Sequence, residues 1–111
     1  MRDYHFTTRN SFRCLMLSKI KADLFEEKFN KCTRREAEEK TGFVCTVEIE
    51  MENYQEIVDF VKTNKINFND RDIFCSVCSE SDSEIWEAPR AVYKILNQLE
   101  CKLTLSFTCV A

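Results

Sequence analysis

The sequence is poor in the residues that interrupt regular structure. Its 111 residues include one glycine, Gly42, and one proline, Pro89. Glycine supplies backbone conformations that other residues avoid, and proline ends helices and strands, so this chain has few positions that favour long irregular loops. We therefore expect helices and strands to cover most of the chain, joined by short polar connections. A single glycine also excludes the glycine-rich loops that bind phosphates in nucleotide-binding proteins.

Long apolar runs are missing as well. No segment approaches the roughly 20 apolar residues that a membrane-spanning helix requires. Residues 1–10 lack the uninterrupted apolar stretch of a secretory signal. We therefore expect a cytoplasmic protein without membrane contact, in which residues 1–10 fray at the terminus.

The chain has no excess of basic residues. Its 16 lysines and arginines are outnumbered by 19 aspartates and glutamates, which gives a net charge of -3. Proteins that bind nucleic acid gain affinity by neutralising phosphates, so this balance argues against a nucleic-acid partner. A protein partner with a basic surface suits this charge better.

Histidine is as scarce as glycine, whereas cysteine is abundant. His5 is the single histidine, beside seven cysteines. An odd number of irregularly spaced cysteines, in a chain without a secretory signal, indicates free thiols rather than disulfides. Cys75 and Cys78 form the one C-x-x-C pair, which supplies two of the four ligands of a zinc site, and in a strand their side chains point to opposite faces. We therefore expect no metal site and no cofactor.

The residues do not assemble into a recognisable catalytic set. The sole imidazole, that of His5, lies in the segment expected to fray, which leaves a nucleophile without a base. Nothing in the sequence distinguishes one pair among the 19 carboxylates as acid and base. We therefore expect the chain not to be an enzyme, although a small enzyme stays open as an alternative.

The chain does contain enough apolar material for one hydrophobic core. Apolar residues make up 44% of the sequence and charged residues 32%, which is the balance of a globular protein, and the length is that of one domain. We expect a single α+β domain that spans residues 1–111.

Two segments alternate strictly between apolar and polar residues, as strands with one buried and one exposed face do. In the first, from Phe43 to Met51, the outward positions from residue 46 onward are Thr46, Glu48, Glu50 and Glu52. In the second, Leu105 belongs to the face expected in the core and Thr104 to the face expected in water. The apolar residues of this second segment are Cys101, Leu103, Leu105, Phe107 and Cys109. Shorter apolar runs predict two further strands, at residues 73–77 and 12–20.

Between these strands the apolar residues recur every three or four positions, as in amphipathic helices. One helix begins after Asn53, whose side chain is expected to cap it together with Glu56. A second follows Pro89, which suits the first position of a helix. A third begins near Asp23 and either ends near Thr33 or continues through the charged stretch that follows. The apolar positions of the first two helices are Tyr54, Ile57, Val58 and Val61, and Val92, Ile95, Leu96 and Leu99.

The order of elements is therefore strand, helix, strand, helix, strand, helix, strand. This alternation is typical of a parallel sheet covered by helices on both faces, whose strands are continuous apolar runs. Here, however, two strands have polar outer faces. We therefore predict an α+β fold with a mainly antiparallel sheet of about four strands and with the helices packed on one face.

Two acidic clusters and one tryptophan are the candidate binding residues. Alternating carboxylates on a strand repel one another, so Glu48, Glu50 and Glu52 favour contact with a cationic partner, although charged outer faces also keep sheets soluble. The loop after Ser79 holds the second cluster. Trp86 follows this loop and is either an interface anchor or part of the core. The predicted partner-binding residues are Glu48, Glu50, Glu52, Glu80, Asp82, Glu84 and Trp86.

Three segments in the last third of the chain carry a family resemblance. They are Cys75-Ser-Val-Cys-Ser-Glu, Ile85-Trp-Glu-Ala-Pro and Ile95-Leu-Asn-Gln-Leu-Glu-Cys-Lys-Leu-Thr-Leu-Ser. This pattern is similar to the C-terminal strand, helix and strand of some small bacterial immunity proteins, which neutralise toxins, including those of contact-dependent growth inhibition. The resemblance implies a cytosolic inhibitor that occludes a toxin, often a basic nuclease, by electrostatic and shape complementarity. Another protein-interaction or regulatory module stays open as the alternative.

All seven cysteines should be reduced in the native protein. We expect alkylation of the denatured, unreduced chain to add seven adducts by intact mass spectrometry, because no thiol is held in a disulfide. Prior reduction should leave that number unchanged. A pair of cysteines that reacts only after reduction would contradict the prediction.

Overall fold

The structure is a computed structural model, and it describes residues 6–38, 41–83 and 85–110. In these ranges five strands and three helices follow one another, with a short 3₁₀ turn before the fourth strand. None of these helices is long and apolar enough to cross a membrane. In chain order the elements are β1 (Phe6–Leu17), α1 (Lys19–Lys28), β2 (Cys32–Glu36), β3 (Phe43–Glu48), α2 (Tyr54–Thr63), β4 (Arg71–Ser79), α3 (Arg90–Leu96) and β5 (Lys102–Cys109).

The five strands form one mixed sheet in the order β2-β3-β1-β4-β5. The β2/β3, β3/β1 and β1/β4 pairs are antiparallel, whereas β5 lies parallel to β4. The first six elements follow the β-α-β-β-α-β order of the split βαβ arrangement, to which α3 and β5 add one helix and an edge strand. The expected α+β class and mainly antiparallel sheet are confirmed, but the sheet has five strands instead of about four.

Strand β2 is the element that the sequence pattern did not predict. Helix α1 does not continue through the charged stretch, and residues 32–36 pair with β3 instead. This polar strand packs beside α1 because Arg34 neutralises the acidic residues there. Its guanidinium donates hydrogen bonds to the carboxylates of Asp23 and Glu26 at 2.7 and 2.6 Å. Its guanidinium also lies 4.1 Å from the centre of the Phe43 ring. The strand is therefore held against α1 by charge as well as by backbone pairing.

The helix starts differ from those expected. Helix α1 begins at Lys19 rather than near Asp23, behind Ser18, whose hydroxyl accepts a hydrogen bond from a first-turn amide at 3.3 Å. Asn53 does not cap α2, because its side chain bonds the backbone at the end of β3 at 2.8 and 2.9 Å and closes the turn before the helix. Pro89 precedes α3 instead of occupying its first position.

Residues 6–10, which were expected to fray, belong to β1 and pair with β4. Residues 1–5, including His5, lie outside the described residues.

The hydrophobic core lies between one face of the sheet and all three helices, as expected. Phe25 on α1, Phe29 just after it and Phe60 on α2 form an aromatic cluster with ring centres 4.7 to 6.0 Å apart. Such tilted and edge-to-face pairs add to the stability gained from burial. The buried core includes Phe12, Cys14, Cys45, Val47, Ile73 and Cys75 from the sheet, with Ile57, Val58, Val92 and Ile95 from α2 and α3.

The edge strand β5 is the exception to this arrangement. Leu103, Leu105 and Phe107 lie on the helix-covered face of the sheet, because β5 is in parallel register with the core residues of β4. They are nevertheless 51%, 69% and 47% exposed, since among the described elements β4 alone makes extensive contacts with β5. On the other face Thr104 is half-buried, and its hydroxyl donates to Asp72 at 2.7 Å. The expectation of a buried Leu105 and a wet Thr104 is therefore wrong.

The packing of β5 can be tested by two substitutions. We expect Leu105→Asp to change the free energy of unfolding by less than about 0.5 kcal/mol, because the new carboxylate stays in water. Thr104→Asp should cost about 2–3 kcal/mol, because a like charge replaces a hydroxyl that donates to Asp72. Urea denaturation of dilute protein measures both, and Thr104→Val controls for loss of the hydrogen bond alone. A larger effect of Leu105→Asp than of Thr104→Asp would contradict this packing.

Candidate functional site

An exposed apolar surface follows β5 and continues onto the segment before α3. Its centre is formed by Leu103, Leu105 and Phe107, and it is bordered by Val77 on β4 and by Trp86. We call these five residues the edge surface. All of them except Leu103 line a shallow groove of about 270 Å³. Exposed apolar surfaces of this kind mark contacts with other molecules.

The two edges of the sheet differ in how they are protected from other strands. At one edge, β2 is five residues long and includes Arg34, Arg35 and Glu36. At the other edge, β5 is eight residues long and carries one charged side chain, that of Lys102. Short, charged edge strands resist pairing with other chains, whereas long, uncharged ones invite it. The edge surface therefore lies on the less protected of the two strands.

A polar network on the opposite face of the sheet fixes β5 to its neighbours. The Arg13 guanidinium on β1 makes two hydrogen bonds to the Asp72 carboxylate on β4, one of them 2.7 Å long. Thr104 on β5 donates to the same carboxylate. The Asp72 side chain is 3% exposed, and Arg13 lies 4.4 Å from the centre of the Phe74 ring. One buried charge pair therefore ties three adjacent strands, and such a pair is costly to break.

The ionisation of Asp72 depends on this network. Burial by itself would raise the pKa of Asp72, because a carboxylate loses hydration in the interior. The hydrogen bonds from Arg13 and Thr104, together with the charge of Arg13, outweigh that effect and hold the pKa of Asp72 below its ordinary value. The hydrogen bond to Asp72 in turn raises the pKa of Arg13. Both groups are therefore charged at neutral pH.

Polar side chains also hold the entrance to β5. Arg71 donates to the carbonyl oxygens of Ile66 and Glu100, each at 2.6 Å. Lys102, the first residue of β5, donates to the carbonyl oxygen of Asn69 at 3.2 Å. The strand is thus anchored by polar contacts at its start and in its middle, while its apolar face stays open.

The structure separates the two predicted acidic clusters. Strand β3 ends at Glu48, so Glu50 and Glu52 lie in the connection to α2, and the expected carboxylate stripe on one strand face is not formed. All three carboxylates are on exposed residues. Glu48 pairs with Ser11, whereas the second cluster follows the strand end that pairs with Phe6. These positions are about 17 Å apart along β1.

The second acidic cluster lies close to the edge surface. Glu80 and Asp82 are exposed in the loop that follows β4, while Glu84 lies outside the described residues. The loop adjoins the C-terminal end of β5, because Ser79 accepts a hydrogen bond from the Val110 amide at 2.8 Å. Carboxylates are therefore placed at one end of the apolar edge surface.

Trp86 combines the two roles that the sequence left open. Its side chain is half-buried and packs against the core, and it also lines the groove with Leu105 and Phe107. A tryptophan that is held by the core on one side and reaches solvent on the other suits the anchor of a protein interface.

The buried thiols are not suited to nucleophilic chemistry. Cys75 and Cys78 lie on opposite faces of β4, as expected, with Cys75 buried beside the groove and Cys78 exposed. Burial raises the pKa of Cys75, so its thiol is protonated at neutral pH. Cys14 and Cys45 face each other across β1 and β3, where burial raises their pKa values to about 12 and about 11. All seven cysteines are free thiols.

The described ranges also contain a larger cleft. The cleft, of about 390 Å³, lies between α1 and α2 and is lined by Leu24 and Phe60 with charged and polar neighbours. Its one aromatic residue, Phe60, is 3% exposed and therefore offers little contact area to a partner. In the same ranges no three His, Cys, Asp or Glu side chains are arranged to hold a metal ion. The edge surface is therefore the candidate site that the geometry favours.

The Arg13–Asp72 pair should make stability depend on acid pH. We expect Asp72→Asn to lower the free energy of unfolding by about 2–3 kcal/mol at neutral pH, because it leaves Arg13 without its counter-ion. Since the pKa of Asp72 is depressed in the folded state, this advantage of the wild type is present above pH about 4 and is lost as pH falls through the folded-state pKa. Urea titrations across this range measure the difference, with Asp82→Asn as an exposed control. A difference that stays constant down to pH about 2 would contradict the prediction.

Comparisons with known proteins do not assign the chain to a family. No family model matches the sequence, and no curated protein or solved structure resembles it significantly. The resemblance to immunity proteins therefore has no independent support, and the function has to be argued from the edge surface itself.

Proposed function

We propose that this chain is a protein-binding inhibitor that neutralises a cognate toxin by direct contact, as immunity proteins do. The observation that carries the proposal is the exposed edge surface, in which Leu103, Leu105 and Phe107 lie open on the face of the sheet that elsewhere forms the core. Leaving these side chains in water forfeits about 1–2 kcal/mol each relative to burial. A partner that covers them recovers this energy, which makes the surface suitable for binding.

The charges around the edge surface favour a basic partner. Glu80 and Asp82 lie at its C-terminal end, and the chain carries a net charge of -3. Interfaces commonly have an apolar centre with aromatic anchors and a charged rim. Leu105 and Trp86 match the centre, and the acidic loop matches the rim. Such a rim steers a basic protein toward the surface and mainly affects the rate of association.

The lining of the groove supports binding rather than catalysis. Val77, Trp86, Leu105 and Phe107 supply no group that gains or loses a proton near neutral pH. Cys75 and Ser106 also line the groove, but burial raises the pKa of Cys75, and no described imidazole or carboxylate lines the groove beside Ser106. A nucleophile needs an ionised form or a neighbouring base, and these side chains provide neither. This is the physical reason for preferring an inhibitor to an enzyme.

The proposal assigns different roles to the two acidic clusters. Glu80 and Asp82 should form the rim of the interface, whereas Glu50 and Glu52, in the connection between β3 and α2, should not take part. Charge reversal at the two positions therefore gives a matched pair of variants with the same change in net charge.

The test is the binding kinetics of the proposed toxin partner, sought as the product of the neighbouring gene, at low and moderate salt. We expect Leu105→Lys to weaken affinity by about 2 kcal/mol or more, because it places a charge at the centre of the interface. The double variant Glu80→Lys/Asp82→Lys should slow association and flatten its salt dependence. The control, Glu50→Lys/Glu52→Lys, should bind like the wild type, and thermal melts should confirm that every variant folds. Wild-type binding by Leu105→Lys would refute the proposal.

A further inference from the structure

We infer that two copies of this chain pair through the free edge of β5, and that this homodimer covers the edge surface until a partner displaces one copy. The strand offers what such pairing needs. It is eight residues long, it carries one charge, and no other described strand pairs with its outer side. The pairing itself follows from the structure of β5, whereas the displacement by a partner rests on the proposed function.

The sequence of β5 is self-complementary when two copies run antiparallel with Leu105 opposite Leu105. In that register Leu103 of one copy lies opposite Phe107 of the other, so the apolar positions meet on the helix-covered face. On the open face Thr104 lies opposite Ser106, which permits cross-strand hydrogen bonds. Lys102 falls opposite a threonine, so that like charges do not meet.

Pairing through β5 produces a closed dimer and not a longer assembly. Antiparallel pairing of the same strand is isologous, which means that both free β5 edges are used in one interface. The remaining edge of each copy is β2, which is five residues long and charged. Such an edge resists further pairing, so the extended sheet stops at ten strands instead of growing into a fibre.

The size of the interface predicts a reversible dimer. A side chain of this size presents about 150–200 Å² when fully exposed, so exposures of 51%, 69% and 47% leave roughly 300 Å² on Leu103, Leu105 and Phe107. Together with the strand backbones, these side chains would give an interface that buries on the order of 1,000 Å² of total surface. Stable interfaces bury at least about 1,200 Å². We expect a dissociation constant in the micromolar range, which a partner that binds more tightly can overcome.

Sedimentation velocity of the purified chain tests the pairing. From low to several hundred micromolar protein, in reductant because Cys78 and Cys109 are exposed, the mass should rise from 13.1 kDa toward twice that value. A chain that stays monomeric at the highest concentration would overturn the inference and would leave the proposed function intact.

Matched variants show whether β5 is the interface. Leu105→Lys places two positive charges against each other on the two-fold axis and should weaken the dimer by on the order of 100-fold. The control is Ile20→Lys on α1, a residue that is 74% exposed, so that the same substitution is made at similar exposure away from β5. Ile20→Lys should dimerise like the wild type. A variant Leu105→Lys that folds and still dimerises would show that another surface is used and would overturn the inference.

Competition with the cognate toxin separates the two proposals. If both hold, adding toxin to the concentrated wild-type chain should replace the homodimer by a complex of one copy with one toxin. A toxin that binds the intact dimer, leaving its β5 interface closed, would refute the displacement and the proposed binding site but not the pairing. If Leu105→Lys loses the dimer but binds the toxin as the wild type does, the displacement and the proposed binding site would again be refuted, and the pairing would stand.

Discussion

The structure is governed by the limited reach of its helix layer. Three helices, the longest of ten residues, pack on one face of a five-stranded sheet and bury the apolar residues of its central strands. They do not extend over β5, so Leu103, Leu105 and Phe107 stay in water although they share a face with Ile73 and Cys75. The apolar residues of β5 therefore lie on a part of this face that the three helices do not cover.

The exposure of these apolar residues is tolerated because β5 is held by polar contacts. Thr104 joins the Arg13–Asp72 pair on the open face, and Arg71 and Lys102 bond carbonyl oxygens where the strand begins. In most sheets the apolar face supplies the stabilising contacts and the polar face contacts water. In β5 the polar face supplies the stabilising contacts and the apolar face contacts water. The strand can consequently be ordered in the monomer while its apolar side chains remain available to a partner or to a second copy.

The sequence predicted the elements better than their surroundings. Local periodicity found α2, α3, β3, β4 and β5, because it reports which residues share a face. It missed β2, since Thr33, Arg35 and Glu36 resemble a solvated helix and only the tertiary contact of Arg34 with α1 explains the strand. It also misjudged Leu105, because alternation does not tell which strands the helices cover. Of the predicted site, Trp86, Glu80 and Asp82 come together near β5, whereas Glu48, Glu50 and Glu52 lie elsewhere and do not form a strand stripe.

Residue-resolved hydrogen exchange of the two edge strands tests most directly the central claim that β5 is the interaction edge. In dilute protein the outward-facing amides of both β2 and β5 should exchange quickly, since neither has a partner strand on its outer side among the described residues. On concentrating the protein, or on adding the proposed toxin partner, β5 should gain protection while β2 should not. Protection that appears at β2, or a β5 that exchanges equally fast under all three conditions, would contradict the account.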